Sequence, residues 1–164
     1  MPERIAIYPG SFDPCTYGHL DLIQRAARMF THVVVAVARN NEKSCMFTVE
    51  ERMDLLSEIT KGWPRVEIAS FTGLPADYAR QRGAVALVRG LRAISDFEFE
   101  LTIAITNQKL NPEIDTVCLM PSESYLFLSS RLVKEIATLG GDISSFVPPQ
   151  VVARLHEKMR LNES

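Results

Sequence analysis

Short apolar segments rich in β-branched residues alternate with segments of helical periodicity along almost the whole chain. The clearest is VVVAVA at 33–38, whose unbroken apolar character is typical of a strand buried on both faces. The other predicted strands are 4–8, 66–71, 84–88 and 115–120. Helices are predicted at 18–30, 48–59, 95–110, 129–138 and 148–161, with a shorter one between Pro75 and Gly83.

This order predicts a Rossmann-like α/β fold. We expect a doubly wound, five-stranded parallel sheet with helices on both faces and further helices at the C-terminus. The length fits one domain covering residues 1–164. In such sheets ligands bind outside the carboxyl ends of the strands, where the strand order reverses. The loops that follow the predicted strands are therefore the expected binding site.

Composition argues against several classes of protein. The net charge of −2 provides no general attraction for nucleic acid, and no apolar stretch reaches the roughly 18 residues that span a bilayer. The cysteines are three, widely spaced and without a C-x-x-C pair. We therefore expect no disulfide framework, a cytoplasmic location, and neither a nucleic-acid nor a membrane partner.

The loop after the first predicted strand, PGSFDPCTYG, is dense in turn-forming and polar residues. Gly10 and Gly18 allow the backbone to approach a ligand closely, and His19 stands where free helical N–H groups favour phosphate. A turn followed by a cap would give the same Gly-His pair. The loop lacks both the P-loop pattern and the G-x-G-x-x-G fingerprint. Asp13, beside Pro14, is interpreted as a turn former rather than a general base.

Basic and hydroxyl groups recur in the later loops. Arg89 and Arg92 flank a Gly-Leu pair, and two guanidinium groups there either hold phosphates or face water. Lys43 follows the second predicted strand. Ser129 and Ser130 begin a predicted helix, as N-cap residues or as part of a phosphate site. This clustering predicts an anionic ligand.

Four motifs in this order resemble those of the bacterial phosphopantetheine adenylyltransferases, a family of the nucleotidyltransferase superfamily. They are YPGSFDPCTYGH with its T-x-G-H signature, KSCMFTVEER, VRGLRAISDFEFE and SYLFLSSRLVKE. The resemblance implies transfer of AMP from ATP to 4′-phosphopantetheine, which gives dephospho-coenzyme A and pyrophosphate. This is the penultimate step of coenzyme A synthesis, and we expect direct in-line attack without a covalent enzyme intermediate.

The resemblance also implies roles for individual residues. His19 matches the transition-state stabiliser, and Lys43 and Arg92 complete the predicted catalytic set. The positions that match the phosphopantetheine site are Ser11, Lys43, Leu74, Pro75 and Arg89. The positions that match the ATP site are Ser11, Phe12, His19, Gly90, Leu91, Arg92, Glu100, Tyr125, Leu126, Phe127, Leu128, Ser129, Ser130 and Arg131. Mg²⁺ is expected on the ATP phosphates, without a dedicated set of protein ligands.

The family is typically a homohexamer, and feedback binding of coenzyme A is a further implied property. The predicted helix at 95–110 is apolar on more than one face, which suits either a core or an intersubunit contact.

Three other functions remain open. One is a related transferase acting on nicotinamide mononucleotide or a phosphoalcohol, against which the RGLR…DFEFE block argues. The second is a non-catalytic nucleotide-binding regulator, which His19 and the two arginines disfavour. The third, a redox flavoprotein, has only fold analogy behind it.

Overall fold

The computed structural model of the protein describes residues 2–40 and 42–163, with all their side chains except those of Glu42, Ile94 and Ser95. Five parallel strands form one sheet in the order β3-β2-β1-β4-β5. The strands are β1 (Ile5–Gly10), β2 (His32–Ala38), β3 (Val66–Phe71), β4 (Ala86–Gly90) and β5 (Asp115–Leu119). The helices are α1 (Tyr17–Met29), α2 (Val49–Ile59), α3 (Pro75–Gln81), α4 (Ile94–Leu110), α5 (Ser130–Thr138) and α6 (Pro149–Glu163).

Both faces of the sheet are covered, which confirms the predicted fold class. Alternate residues of each strand point to opposite faces, so Ala6 and Tyr8 of β1 join a core with α1 and α2. Ile7 lies on the other face and packs with Ala76 and Ala79 of α3. Because every central strand is buried on both sides, its sequence is apolar without alternation, as VVVAVA indicated.

The two C-terminal helices form a third core beside α2 rather than against the sheet. Val133 of α5 and Val151 and Leu155 of α6 are fully buried against Phe47 and Leu55. This packing places the N-terminus of α5 close to the loop that follows β1. In the ranges 2–40 and 42–163, no helix has both the length and the apolar character needed to cross a bilayer.

The predicted strand 84–88 begins and ends two residues too early, since β4 covers Ala86–Gly90. The end of α3 explains the difference. Gly83 has a φ of +66°, and the amide of Ala84 donates to the carbonyl of Ala79, 2.9 Å away. Ala84 therefore closes the helix and cannot join the sheet ladder. As a result Arg89 is the penultimate residue of the strand and does not belong to the loop after it.

One buried carboxylate joins three segments that are distant in sequence. Asp13 is 3% exposed and accepts hydrogen bonds from the amides of Met46 and Phe47, at 2.8 and 2.9 Å. The ammonium group of Lys134 on α5 lies 2.9 Å from the same side chain. Asp13 and Pro14 do form a turn, but the interpretation that the Asp13 side chain bonds locally was wrong, because its oxygens are engaged across the fold.

Replacing Asp13 should destabilise the protein strongly. Asp13→Asn keeps one oxygen but sets an amide NH₂ against backbone donors and removes the charge that pairs with Lys134. We expect the free energy of unfolding to fall by about 3 kcal/mol. Lys134→Met leaves both backbone hydrogen bonds in place and should cost only about 1 kcal/mol. Urea denaturation of both variants measures this, and equal losses would show that the amide contacts contribute little.

Candidate active site

A cavity of about 390 Å³ opens at the carboxyl ends of β1 and β4, where the strand order reverses. The first loop contributes Phe12 and His19 to its wall. The end of β4 and the first turns of α4 contribute Arg89, Gly90, Arg92 and Glu100. The segment before α5 contributes Tyr125, Leu128, Ser129 and Ser130. The structure thus brings together predicted residues from three segments of the chain.

The remaining predicted residues lie outside the cavity wall. They are Ser11, Lys43, Leu74, Pro75, Leu91, Leu126, Phe127 and Arg131. Lys43 is exposed on a short 3₁₀ turn, Glu42–Ser44, and Leu74 is the half-exposed N-cap residue of α3. Phe127 packs its ring edge-on against Phe146, with the centroids 5.8 Å apart.

Although Ser11 lies outside the wall, a buried arginine fixes its backbone. Arg52 of α2 is 1% exposed and donates to the carbonyl of Ser11 at 2.7 Å and to that of Phe47 at 3.1 Å. The loop after β1 is thereby attached to α2 at Ser11 and to α5 through Asp13. This explains how an irregular loop can hold the residues of the cavity wall in place.

The T-x-G-H signature forms a capping box at the start of α1. Thr16 is the N-cap residue, and its hydroxyl accepts from the amide of His19 at 3.4 Å. In return the amide of Thr16 donates to Nδ1 of His19 at 3.0 Å. The spacing of three residues is what this reciprocal bonding requires. Tyr17 donates its amide to Phe146, so among the described contacts Gly18 has the one uncommitted amide of this turn.

The capping box determines the chemistry of the imidazole. Because Nδ1 accepts a backbone hydrogen bond, the neutral ring carries its proton on Nε2. Burial lowers the pKa of His19 to about 4, and the positive charge of Arg92 lowers it as well. The ring is therefore neutral at pH 7 and presents one N–H donor to the cavity.

Phe12 holds this ring from the side. Its own ring meets His19 at 5.0 Å between centroids and Tyr8 at 5.2 Å, both edge to face. Phe12 has a φ of +49°, a left-handed conformation that is costly for an aromatic residue. A Cβ on Gly10 would lie 3.1 Å from the Phe12 ring, so a side chain there would push the ring out of place.

Arg89 is already paired with a carboxylate in the cavity. Its Nε and Nη2 donate to the two oxygens of Glu100, each at 2.8 Å, and the Glu100 side chain is only 9% exposed. This bidentate contact raises the pKa of Arg89 above its ordinary value, against the effect of burial. Any phosphate that binds Arg89 must therefore share it with Glu100 or displace Glu100.

Arg92 has one strong contact and one weak one. It donates to the carbonyl of Leu128 at 2.8 Å, which links the start of α4 to the segment before α5. One oxygen of Asp96 accepts from the backbone amide of Arg92 at 3.1 Å and lies 3.3 Å from its Nε, and both side chains are at least three-tenths exposed. The Asp96 contact is thus weak and exchangeable.

The serines before α5 have structural tasks that leave backbone donors available. Ser129 is the N-cap residue and accepts from the amide of Leu132, while Ser130 donates its hydroxyl to the carbonyl of Pro14 at 2.7 Å. Among the described contacts, the amides of Ser130 and Arg131 have no partner. These amides, rather than the serine hydroxyls, can receive an anion.

Sequence reasoning missed several residues of the cavity wall: Tyr8, Thr16, Leu22, Asp96, Phe99 and Pro121. Thr16 was recognisable as the first letter of T-x-G-H, three residues before His19. Tyr8 had no such signal, because it sits within an apolar strand segment that reads as core. Chemically, the cavity offers a neutral imidazole donor, two guanidinium groups and free helical amides, which together suit phosphate groups.

Comparison with known proteins gives concordant results. Residues 7–136 match the sequence model of the cytidylyltransferase-like family. A phosphopantetheine adenylyltransferase from Caldanaerobacter subterraneus subsp. tengcongensis is 52% identical over 157 residues, covering 96% of this chain and 98% of that protein. One from Anaeromyxobacter dehalogenans is 53% identical over 157 residues, covering 96% of each.

Solved structures show the same fold at lower identity. The nicotinic acid mononucleotide adenylyltransferase of Plasmodium falciparum superposes with a TM-score of 0.61 at 17% identity, over 95% of this chain and 96% of that one. A bifunctional NMN adenylyltransferase/ADP ribose pyrophosphatase from Francisella tularensis gives 0.65 at 15% identity, over 89% of this chain and 44% of that one. With relatives about half identical over nearly their full length, the chain belongs to the phosphopantetheine adenylyltransferases, within the cytidylyltransferase-like nucleotidyltransferases.

Proposed function

We propose that this chain transfers AMP from ATP to the phosphate of 4′-phosphopantetheine, releasing pyrophosphate and forming dephospho-coenzyme A. The observation that carries the proposal is the gathering of His19, Arg89 and Arg92 around one cavity, in a chain half identical to named phosphopantetheine adenylyltransferases. The reaction is one step of coenzyme A synthesis. The structural neighbours that act on nicotinic acid mononucleotide share the fold alone, so they do not favour the rival substrate.

The chemistry requires no general base. A phosphate oxygen of the acceptor is already anionic at pH 7 and attacks the α-phosphorus of ATP in line, as the bond to the leaving pyrophosphate breaks. The enzyme forms no covalent intermediate on this route. The task of the protein is to bring two anions together and to stabilise the charge that builds up on the α-phosphoryl oxygens.

We assign that stabilisation to His19. Its neutral ring donates from Nε2 to an α-phosphoryl oxygen, and the capping box and Phe12 hold the ring before the substrates arrive. A donor fixed in advance gains more than one that must first be oriented. Arg92, anchored on Leu128, lies beside it and offsets the phosphate charge.

The other predicted contacts are proposed from the resemblance to the family. Arg89 takes the acceptor phosphate in exchange for Glu100, and Lys43 reaches the same phosphate from the loop after β2. Leu74 and Pro75, at the start of α3, line the path of the pantetheine arm. The segment from Tyr125 to Arg131 and the loop Gly90–Leu91 border ATP, with the phosphates near the free amides of α5.

Mg²⁺ is proposed on the ATP phosphates. Within the described part of the chain, no three acidic, histidine or cysteine side chains gather where they would hold a metal ion. Asp96 on the cavity wall is close to Arg92. A cavity with so few carboxylates fits an ion held chiefly by phosphate and water, as Mg²⁺ often is. When bound, the ion neutralises part of the phosphate charge.

We also propose a homohexamer, feedback binding of coenzyme A and a cytoplasmic location. The helix α4 leaves Phe97, Leu101 and Ile105 about half exposed, an apolar surface that a second copy would cover. Coenzyme A has the pantetheine and adenylate parts of the product and would fit the same cavity. No disulfide joins the described cysteines, which suits a reducing compartment.

The function is tested by incubating the protein with ATP, Mg²⁺ and 4′-phosphopantetheine and detecting the products by mass. Dephospho-coenzyme A and pyrophosphate should appear in equal amounts. Parallel reactions with nicotinamide mononucleotide and with a phosphoalcohol should give none. Product with either of these and not with phosphopantetheine would overturn the assignment.

Replacing His19 should impair the chemical step rather than binding. His19→Ala removes a fixed donor to the transition state, so we expect kcat to fall by about 10²–10³ while KM changes little. His156→Ala, which removes an exposed imidazole on α6, is the matched control and should leave kcat unchanged. Steady-state kinetics decide the matter, and wild-type kcat in His19→Ala would refute the role.

Replacing Arg89 should chiefly weaken binding of the acceptor. Arg89→Ala removes charged hydrogen bonds to phosphate, and we expect the Kd of 4′-phosphopantetheine to rise by roughly 10–100-fold. Arg82→Ala is the control, since Arg82 also pairs with a carboxylate away from the cavity, its Nη2 lying 2.8 Å from both oxygens of Glu67. Titration calorimetry should show affinity loss only at Arg89. Similar losses in both variants would mean that a broken ion pair, not a lost phosphate contact, causes the effect.

A further inference from the structure

Tyr8 is a polar residue in the cavity wall to which the reaction outlined above gives no task. It lies on β1, two residues before the strand ends, and is only 5% exposed. Its side chain nevertheless borders the cavity, together with Arg89, Arg92 and Glu100. A phenylalanine would serve equally well as a core residue at this position.

The hydroxyl of Tyr8 has no hydrogen-bond partner among the described residues. One nitrogen of Arg52 is the single side-chain polar atom, within those residues, that is both sealed from solvent and unpartnered. The Tyr8 hydroxyl is not one of these sealed atoms, and the two guanidinium groups of the cavity, Arg89 and Arg92, both act on the pKa of this phenol. Buried tyrosine hydroxyls usually have a partner, and one left without is unfavourable unless a ligand supplies it.

The surroundings of Tyr8 keep the phenol in its donor form and in place. Burial raises the pKa of Tyr8 above its ordinary value, and Cys15 adds to the rise. Arg89 and Arg92 oppose it only in part, so the hydroxyl keeps its proton at neutral pH. Its ring is fixed edge to face against Phe12, which in turn contacts His19.

We propose that Tyr8 is a ligand-binding residue whose hydroxyl donates a hydrogen bond to a phosphoryl oxygen of the anion held by Arg89 and Arg92. The proposal rests on the proposed function, because both substrates supply such an oxygen. The Tyr8 hydroxyl would thus be a neutral donor that acts beside the two cationic groups of the cavity wall. The same contact would link the bound phosphate, through Phe12, to the position of His19.

Tyr8→Phe tests this, since it removes one oxygen and keeps the ring contact with Phe12. Titration calorimetry is carried out with ATP and Mg²⁺ in one arm and 4′-phosphopantetheine in the other. We expect the Kd of at least one ligand to rise about tenfold, and the affected arm identifies which phosphate is bound. Affinities within twofold of the wild type in both arms would overturn the proposal.

Thermal stability separates this role from a structural one. Losing an unpartnered hydroxyl from a buried ring should leave the Tm of the ligand-free protein unchanged or raise it. A Tm several degrees lower, with affinities unchanged, would mean that Tyr8 supports only the fold and would contradict the proposal.

Tyr78→Phe is the matched control. The Tyr78 hydroxyl accepts from Arg82 at 2.8 Å, outside the cavity, so its removal should leave both affinities unchanged. The wild-type assay with both substrates is run alongside. If the wild type forms no dephospho-coenzyme A, the proposed function fails. If it is active and Tyr8→Phe binds both ligands normally, only the role of Tyr8 fails.

Discussion

The reciprocal bonding of Thr16 and His19 is the constraint on which the rest of the site depends. A single turn of helix both begins α1 and commits one nitrogen of the imidazole to the backbone. The other nitrogen is left as a donor, and burial keeps the ring neutral. Phe12 supports the ring from a left-handed conformation, and the loop on either side of it is anchored at Ser11 and Asp13. Local strain is thus tolerated because distant contacts fix the loop.

Charge in the ligand-free cavity is largely balanced. Arg89 is neutralised by Glu100 and Arg92 lies beside Asp96, so neither cation is buried without a carboxylate nearby. Binding a phosphate then exchanges one anionic partner for another, and the net gain is smaller than the full attraction between the ions. This arrangement explains how a site built for two polyanions remains stable when empty. It also gives Glu100 a definite task in the ligand-free cavity, as the partner of Arg89, which the sequence did not indicate.

The element order was predictable because the buried strands are apolar throughout and the helices have clear periodicity. The strand at β4 was misplaced because nothing local shows that the amide of Ala84 closes α3. Asp13 was misread for a similar reason, since its partners lie 33 to 121 residues away in sequence. Tyr8 was overlooked because it lies in the continuously apolar segment of β1, which is typical of core. The resemblance to a family indicated the roles of the site residues, whereas the pairing of Arg89 with Glu100 required coordinates.

We infer that His19 is a neutral donor through Nε2 before any substrate binds. Long-range ¹H–¹⁵N spectra of the ligand-free protein measure this directly, with the His19 signals identified by their loss in His19→Gln. We expect an unprotonated Nδ1 and a protonated Nε2 at pH 7, with the ring gaining a second proton only near pH 4. A charged imidazolium at pH 7, or a proton on Nδ1, would contradict it.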